Sequence, residues 1–244
     1  MRTCLITAFY RQHKEWEYFV QSLKEQTVFP DEIVIGIDDL KDRVPDLKGL
    51  PFSVVRSYGK PKDRTGRGIV LNKALEITDA EVVITTDSDC ILNPKFVETY
   101  KRIYEGRLKQ WDYTVHYEGG KRPSIDTHRV RGDVTTQIFV GPRFFIPKLS
   151  KLPKEYDWQT FNSLSTHDHH GCRGRENHTA KIMGCNLAFF RRAFKFSKFS
   201  HGRGQDQYFW KKLQENKPGV YSLRAAPDFN YVLHIGPNNV GQYW

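Results

Sequence analysis

The sequence predicts an α/β fold, a single Rossmann-like, mostly parallel sheet flanked by helices, with an irregular C-terminal half. Three observations carry that prediction. Residues 1–104 alternate short apolar runs with amphipathic stretches, the order that lays a parallel sheet beneath covering helices. The runs Ile33-Val34-Ile35 and Val82-Val83-Ile84 are β-branched, as buried strands tend to be. Acidic clusters close two of them, Asp38-Asp39 and Asp87-Ser88-Asp89. Ligands of such sheets bind beyond the carboxyl ends of the strands.

The elements follow in order. Leu5 to Phe9 reads as a first strand. Trp16, Phe19, Val20 and Leu23 then recur at i, i+3, i+4, i+7, one face of a helix whose exit Pro30 marks. Ile33–Ile37 is a second strand and Phe52–Val55 a third. Residues 60–68 form a basic loop with Lys60, Lys62, Arg64 and Arg67, and the next helix buries Val70, Leu71, Ala74 and Leu75. After the central strand, Asn93-Pro94 supplies a cap and a first-position proline for a helix bearing Phe96, Val97, Tyr100 and Tyr104. In the second half Tyr113–Tyr117, Val134–Val140 and Tyr231–Ile235 read as strands, and residues 150–180 as loop. Such a loop is expected as a lid. It carries His167, His169, His170, Cys172 and His178, but at no familiar zinc spacing.

Composition narrows the function classes. The 244 residues suit one α/β domain, and 39% hydrophobic residues can fill its core. The net charge of +10 admits a polyanionic partner or an ordinary basic surface. The excess is uneven: residues 101–155 hold 12 Lys/Arg against 6 Asp/Glu, and residues 191–212 hold 7 against 1. Cys4, Cys90, Cys172 and Cys185 show no pairing pattern, so free thiols in a reduced compartment are expected. The N-terminus turns polar too soon for a signal peptide, and no run of ~18 apolar residues spans a membrane. A cytoplasmic protein, bacterial or phage-encoded, is the expectation.

The chemistry concentrates at a few positions. Asp87 and Asp89, one residue apart at the mouth of a buried strand, suit Mg²⁺ or Mn²⁺ sharing its shell with phosphates and water. The same pair could instead merely cap a turn. Asp206 is the one acid of residues 191–212 and follows a glycine-rich turn, Gly202-Arg203-Gly204. It reads either as a helix cap, favoured by the dipole, or as a general base. His234 lies in an apolar run, where a lone imidazole is more often a satisfied core group than a ligand.

In this order and spacing the chain resembles the family 2-like glycosyltransferases of the GT-A fold, from Leu5 to about His234. Thr7, Ala8 and Phe9 look like the nucleotide-contacting end of the opening strand, and Asp38-Asp39 like the acids that meet base and ribose. Asn72 lies in what looks like the helix after the basic loop, and Asp87-Ser88-Asp89 resembles the D-x-D metal motif. Gly184 to Arg192 resembles the strand and turn before the acceptor region, and Gln205-Asp206 the acidic pair at a helix start, with Gln205 replacing the usual acid. His234 falls where many members supply a metal ligand.

The resemblance implies a nucleotide-sugar-binding half, residues 1–104, and an acceptor-binding half, residues 105–244, within one domain spanning 1–244. It implies metal held by Asp87, Asp89 and His234, and a donor, expected to be a UDP-sugar, met by Thr7, Ala8, Phe9, Asp38, Asp39, Arg64, Arg67, Asn72, Asp87 and Ser88. Gly184, Asn186, Arg203 and Gln205 would face the acceptor, and Asp206 would deprotonate its hydroxyl, with inversion. The acceptor expected is hydroxymethylated DNA, a polysaccharide or a lipid-linked glycan. Two other classes compete. A sugar-nucleotide nucleotidyltransferase needs a glycine-rich loop after the first strand, where Thr7-Ala8-Phe9-Tyr10-Arg11 has none. A non-catalytic nucleic-acid-binding module would bind through its basic patches and ignore the acids.

Overall fold

The computed structural model describes residues 1–39, 42–43, 45, 49–50, 53–56, 66–108, 110–113, 126–129, 133–146, 149–167, 184–200, 204–226 and 230–235. In chain order the elements are β1 (Thr3–Phe9), α1 (His13–Lys24), β2 (Glu32–Ile37), β3 (Ser53–Arg56), α2 (Arg67–Ile77), β4 (Val82–Asp87), β5 (Cys90–Leu92) and α3 (Phe96–Tyr104). The second half continues with β6 (Gln110–Tyr113), β7 (Asp126–Arg129), β8 (Gln137–Val140), β9 (Arg143–Ile146), α4 (Trp158–Ser163) and β10 (Thr166–His167). It closes with β11 (Leu187–Phe190), α5 (Gln205–Asn216), β12 (Ser222–Ala225) and β13 (Val232–Ile235).

The α/β prediction holds. A seven-stranded sheet runs β12-β8-β11-β4-β1-β2-β3. β1 pairs in parallel with β2 and with β4, and β2 in parallel with β3. Their register sets Phe9 opposite Ile37 and Ala8 opposite Asp87. The carboxyl ends of β1, β2 and β4 therefore emerge side by side, which brings residues 10–13, Asp38-Asp39 and Asp87–Asp89 to one edge. β11 runs antiparallel to β4, with Leu187 opposite Thr85, so the residues just before β11 arrive at that same edge. A four-stranded sheet, β10-β9-β13-β5, crosses beside it, and its register sets His234 opposite Cys90.

The apolar faces read from the sequence are the buried ones: Trp16, Phe19, Val20 and Leu23 on α1, Val70, Leu71, Ala74 and Leu75 on α2, and Phe96, Val97, Tyr100 and Tyr104 on α3. Each fully buried side chain of this kind contributes about 1.5–3 kcal/mol from area removed from water. A smaller core of Ile91, Ile146, Leu152, Phe161, Leu233 and Ile235 lies with the four-stranded sheet.

Several boundaries differ from expectation for local reasons. α1 ends at Lys24, well before Pro30, because Gln26 and Thr27 turn to bond the carbonyls of Asn93 and Pro94. α3 begins at Phe96, since Asn93 accepts from the Lys95 N–H and forms a turn rather than a cap. Residues 134–136 form a 3-10 turn capped by Asp133 ahead of β8. Within the stretch read as loop, Asp157 caps α4 by accepting from Thr160 N–H at 2.8 Å, and β10 follows. His169, His170, Cys172, His178, residues 60–65 with Arg64, residues 114–117 and Arg203 lie outside the described residues.

Candidate active site

Asp89 stands just past the end of β4 and is met by residues from two other elements. From the start of α1, Gln12 donates through Nε2 to Asp89 Oδ2 at 2.9 Å, and its Oε1 accepts from the Ser88 hydroxyl. From β13, His234 Nε2 comes within 3.5 Å of Asp89 Oδ1. The antiparallel pairing of β13 with β5 places it there. Burial pushes the Asp89 carboxyl above the usual carboxylate range, opposed by His234 and reinforced by nearby Asp87. Asp89 Oδ1 and His234 Nδ1 are buried without a hydrogen-bond partner. Orphaned buried polar atoms are rare in folded proteins, and each calls for a missing partner.

A divalent ion is a partner that fits. Ligand atoms of Asp89, Cys90 and His234 lie within 4.8 Å of one another, and they form the metal-competent cluster among the described residues. A carboxylate and an imidazole suit Mn²⁺ or Mg²⁺ with other positions left to oxygen ligands. Burial raises the Cys90 thiol well above its ordinary range, with Cys185 beside it, which opposes thiolate ligation.

Asp87 has a different partner. Its Oδ1 accepts from Arg67 Nη2, and Arg67 Nη1 lies 3.6 Å from Asp206 Oδ1. The guanidinium is thus buried between two carboxylates, one at the end of β4 and one at the start of α5. Asp206 is not a helix cap. Gly204, with φ +71°, occupies the cap position, and Asp206 Oδ2 accepts from the Gly184 N–H at 2.8 Å. Gly184 lies close against the guanidinium: a Cβ there would stand 2.7 and 2.8 Å from its nitrogens, and Arg67 would have to shift.

The third part lies beyond β1 and β2. Burial pushes the Asp38 carboxyl up, while the Gly66 backbone bonds it and opposes that rise. Asp39 pairs with Arg11 Nε at 2.8 Å and Nη2 at 2.5 Å. Arg11 takes φ +55°, a left-handed conformation uncommon outside glycine. Asp42 holds that turn, accepting from Arg11 N–H at 2.8 Å while its other oxygen meets His13 Nε2 at 2.6 Å.

The structure therefore gathers Asp38, Asp39, Asp87, Ser88, Asp89, His234, Arg67, Gly184 and Asp206 at one edge of the sheet. Other described residues singled out from sequence are buried in the fold or bonded within it. Phe9 is fully buried, edge-on to His13 and Trp16. Thr7 is buried with an unpartnered hydroxyl, and Ala8 packs partly against the core. Asn72 bonds both backbone groups of Phe199. Asn186 bonds Tyr100, Pro142 and Asn230. Gln205 is buried at the first turn of α5. Gln12, Arg11, His13 and Asp42 were missed. The one signal for them is position, because residues 10–13 follow directly on the carboxyl end of β1 and Asp42 comes after that of β2.

Comparison with known proteins bears on the fold and the family. The family model described as glycosyl transferase family 2 matches residues 4–182. No curated protein matches the chain. The fold is similar to S. aureus TarS residues 1–349, with TM-score 0.59 and 16% identity over 96% of this chain and 60% of that one. The same protein in complex with UDP-GlcNAc gives TM-score 0.61 and 14% identity over 98% and 60%. The mannosyltransferase PcManGT from Pyrobaculum calidifontis, in complex with GDP-Man and Mn²⁺, gives TM-score 0.56 and 15% identity over 99% and 58%. At such identities the likeness is one of fold. The chain spans about 60% or less of the length of these structures.

Proposed function

This chain belongs to glycosyl transferase family 2 and has the GT-A fold, and from that premise we propose that it moves a sugar from a nucleotide-sugar donor to an acceptor hydroxyl. The observation that carries the reading is the pairing of two unlike acidic centres across one edge. Asp89 and His234 hold orphaned ligand atoms on one side. Asp206, free of any capping duty, lies on the other, joined to the first through Arg67 and Asp87.

In this reading Asp89 and His234 hold Mn²⁺ or Mg²⁺, with Asp87 beside them. When bound, the ion supplies Lewis-acid stabilisation of the charge that develops on the departing diphosphate. Gln12 fixes the Asp89 carboxylate, as second-layer partners of metal ligands do. Asp38, bonded among the described residues by the Gly66 backbone, accepts a hydrogen bond from the base or ribose. Asp39, already paired with Arg11, shapes the turn that receives the nucleotide. Asp206 takes the proton of the acceptor hydroxyl as its oxygen bonds the anomeric carbon. The bond from that carbon to the diphosphate breaks, and the nucleoside diphosphate leaves with the electron pair. Direct displacement of this kind inverts the anomeric centre, and general-base help is worth ~10²–10⁴-fold.

For the acceptor we propose a hydroxyl of a glycan ahead of hydroxymethylated DNA. Much of the basic excess near α5 is already neutralised: Arg192 pairs with Asp133 at 3.2 Å, Lys198 with Glu76 at 2.9 Å and Lys212 with Glu215 at 2.6 Å. Among the described residues no helix is long and apolar enough to cross a membrane. The test is incubation with Mn²⁺ and a panel of UDP-, GDP-, CDP- and dTDP-sugars, reading release of the nucleoside diphosphate. Metal-dependent release from one donor supports the reading, and none from any donor sinks it. Glycan and hydroxymethylated-DNA acceptors are then compared for stimulation of that release. Stimulation by DNA that falls steeply with salt would reverse the order of acceptors.

A further inference from the structure

We propose that Arg67 is a positioning residue that fixes the acceptor-side carboxylate of Asp206 against the donor-side carboxylate of Asp87. The inference rests on the reading of Asp206 as the base.

The placement of Arg67 runs against the needs of its own helix. It is the first residue of α2, where the helix dipole disfavours a cation. Its side chain is only 9% exposed, and a buried cation is costly unless paired. The compensation comes from outside α2, through the bond to Asp87 and the approach to Asp206. The surroundings are shaped to admit the guanidinium. Gly184 leaves the space that any Cβ would fill, and its N–H anchors the other oxygen of Asp206.

Among the described residues each Asp206 oxygen therefore has one partner, Arg67 for Oδ1 and the Gly184 N–H for Oδ2. A carboxylate offers about four acceptor sites, so capacity remains for the acceptor proton in one fixed orientation. The planar fork of arginine suits a cation shared by two carboxylates. A lysine offers a point charge without that geometry.

The experiment uses the donor identified by the release assay, with Mn²⁺, and measures kcat and donor KM for Arg67→Met, Arg67→Lys, Asp206→Asn and the Arg67→Met/Asp206→Asn double variant. Thermal melts confirm that each variant is folded. Arg67→Met is expected to lower kcat about 10²-fold, the scale of a misplaced catalytic group, with donor KM within about threefold and partial rescue in Arg67→Lys. In the Asp206→Asn background the same change is expected to cost less than about threefold, because its target is gone. A full additional loss in that background, with Asp206→Asn itself impaired, overturns the role of Arg67 and leaves the base reading intact. Near-normal turnover in Asp206→Asn overturns the base reading and this inference with it. Absence of release from every donor overturns the proposed function as a whole.

Discussion

Gln12 Nε2 and Asp89 Oδ2 lie 2.9 Å apart, joining the first residues after β1 to the acid just past the end of β4. Gln12 stands at the cap position of α1 yet makes no capping bond. Its amide is spent wholly on Asp89 and Ser88. Gln12→Ala is therefore expected to leave α1 intact and to weaken Mn²⁺ binding about 10–100-fold, the usual effect of losing a partner of a metal ligand. Titration of the protein with Mn²⁺, followed by the free-ion EPR signal, checks this. Unchanged affinity would show that Asp89 needs no such support.

Asp38 should report on itself through pH. Burial raises its carboxyl above the usual range in the fold, so the folded state holds that proton more tightly than the unfolded chain. Stability contributed by this group is present at low pH and falls as pH rises through the window from the ordinary value to the raised one. Asp38→Asn removes that slope. The melting temperature of the variant relative to the parent is expected to rise between pH 3 and pH 7. If Asp38 bonds the nucleotide, the same variant loses roughly tenfold in nucleoside-diphosphate affinity, as expected for a hydrogen bond to a charged group.

These two residues mark how much was legible in the sequence. Asp38 was visible because it ends an apolar run, and strand ends in a parallel sheet carry ligand sites. The D-S-D cluster and the apolar faces of α1, α2 and α3 were visible through the same patterning. Gln12 was not, because a lone amide in a polar turn has no period and its partners lie 76 and 77 residues away. The Arg67–Asp206 approach spans α2 and α5, a relation that only tertiary packing creates. His234 shows the limit from the other side. Its apolar neighbours suggested a satisfied core imidazole, yet the antiparallel register of β13 on β5 brings its Nε2 to Asp89 and leaves its Nδ1 unpartnered. Helix starts were misread where asparagine made a turn instead of a cap, as at Asn93.

The described thiols are expected to be inert. Cys4, Cys90 and Cys185 are free and buried. Burial pushes Cys4 up to about 12 and Cys90 well above its ordinary range. Reaction requires exposed thiolate. In a Cys172→Ser protein at pH 8, a colorimetric thiol reagent should titrate none of the three until denaturant is added, and then all three. Rapid reaction of Cys90 or Cys185 in the native state would show that the edge near Asp89 opens readily.

Asn186 separates a binding role from a structural one. The Tyr100 hydroxyl donates to its Oδ1, and its Nδ2 donates to the carbonyls of Pro142 at 3.0 Å and Asn230 at 2.8 Å. Asn186, Tyr100 and Asn230 are fully buried, where an unpaired polar group costs about 1–3 kcal/mol. Tyr100→Phe leaves Oδ1 without that donor and should destabilise by that amount in urea unfolding. Asn186→Ala removes all three side-chain bonds at once, leaving the Pro142 carbonyl only its bond from the Val232 N–H, and should cost more than Tyr100→Phe. Because Asn186 ties α3 to the segments before β9 and β13, its loss should lower stability with little change in acceptor KM. A large rise in acceptor KM at unchanged stability would instead return Asn186 to the acceptor site.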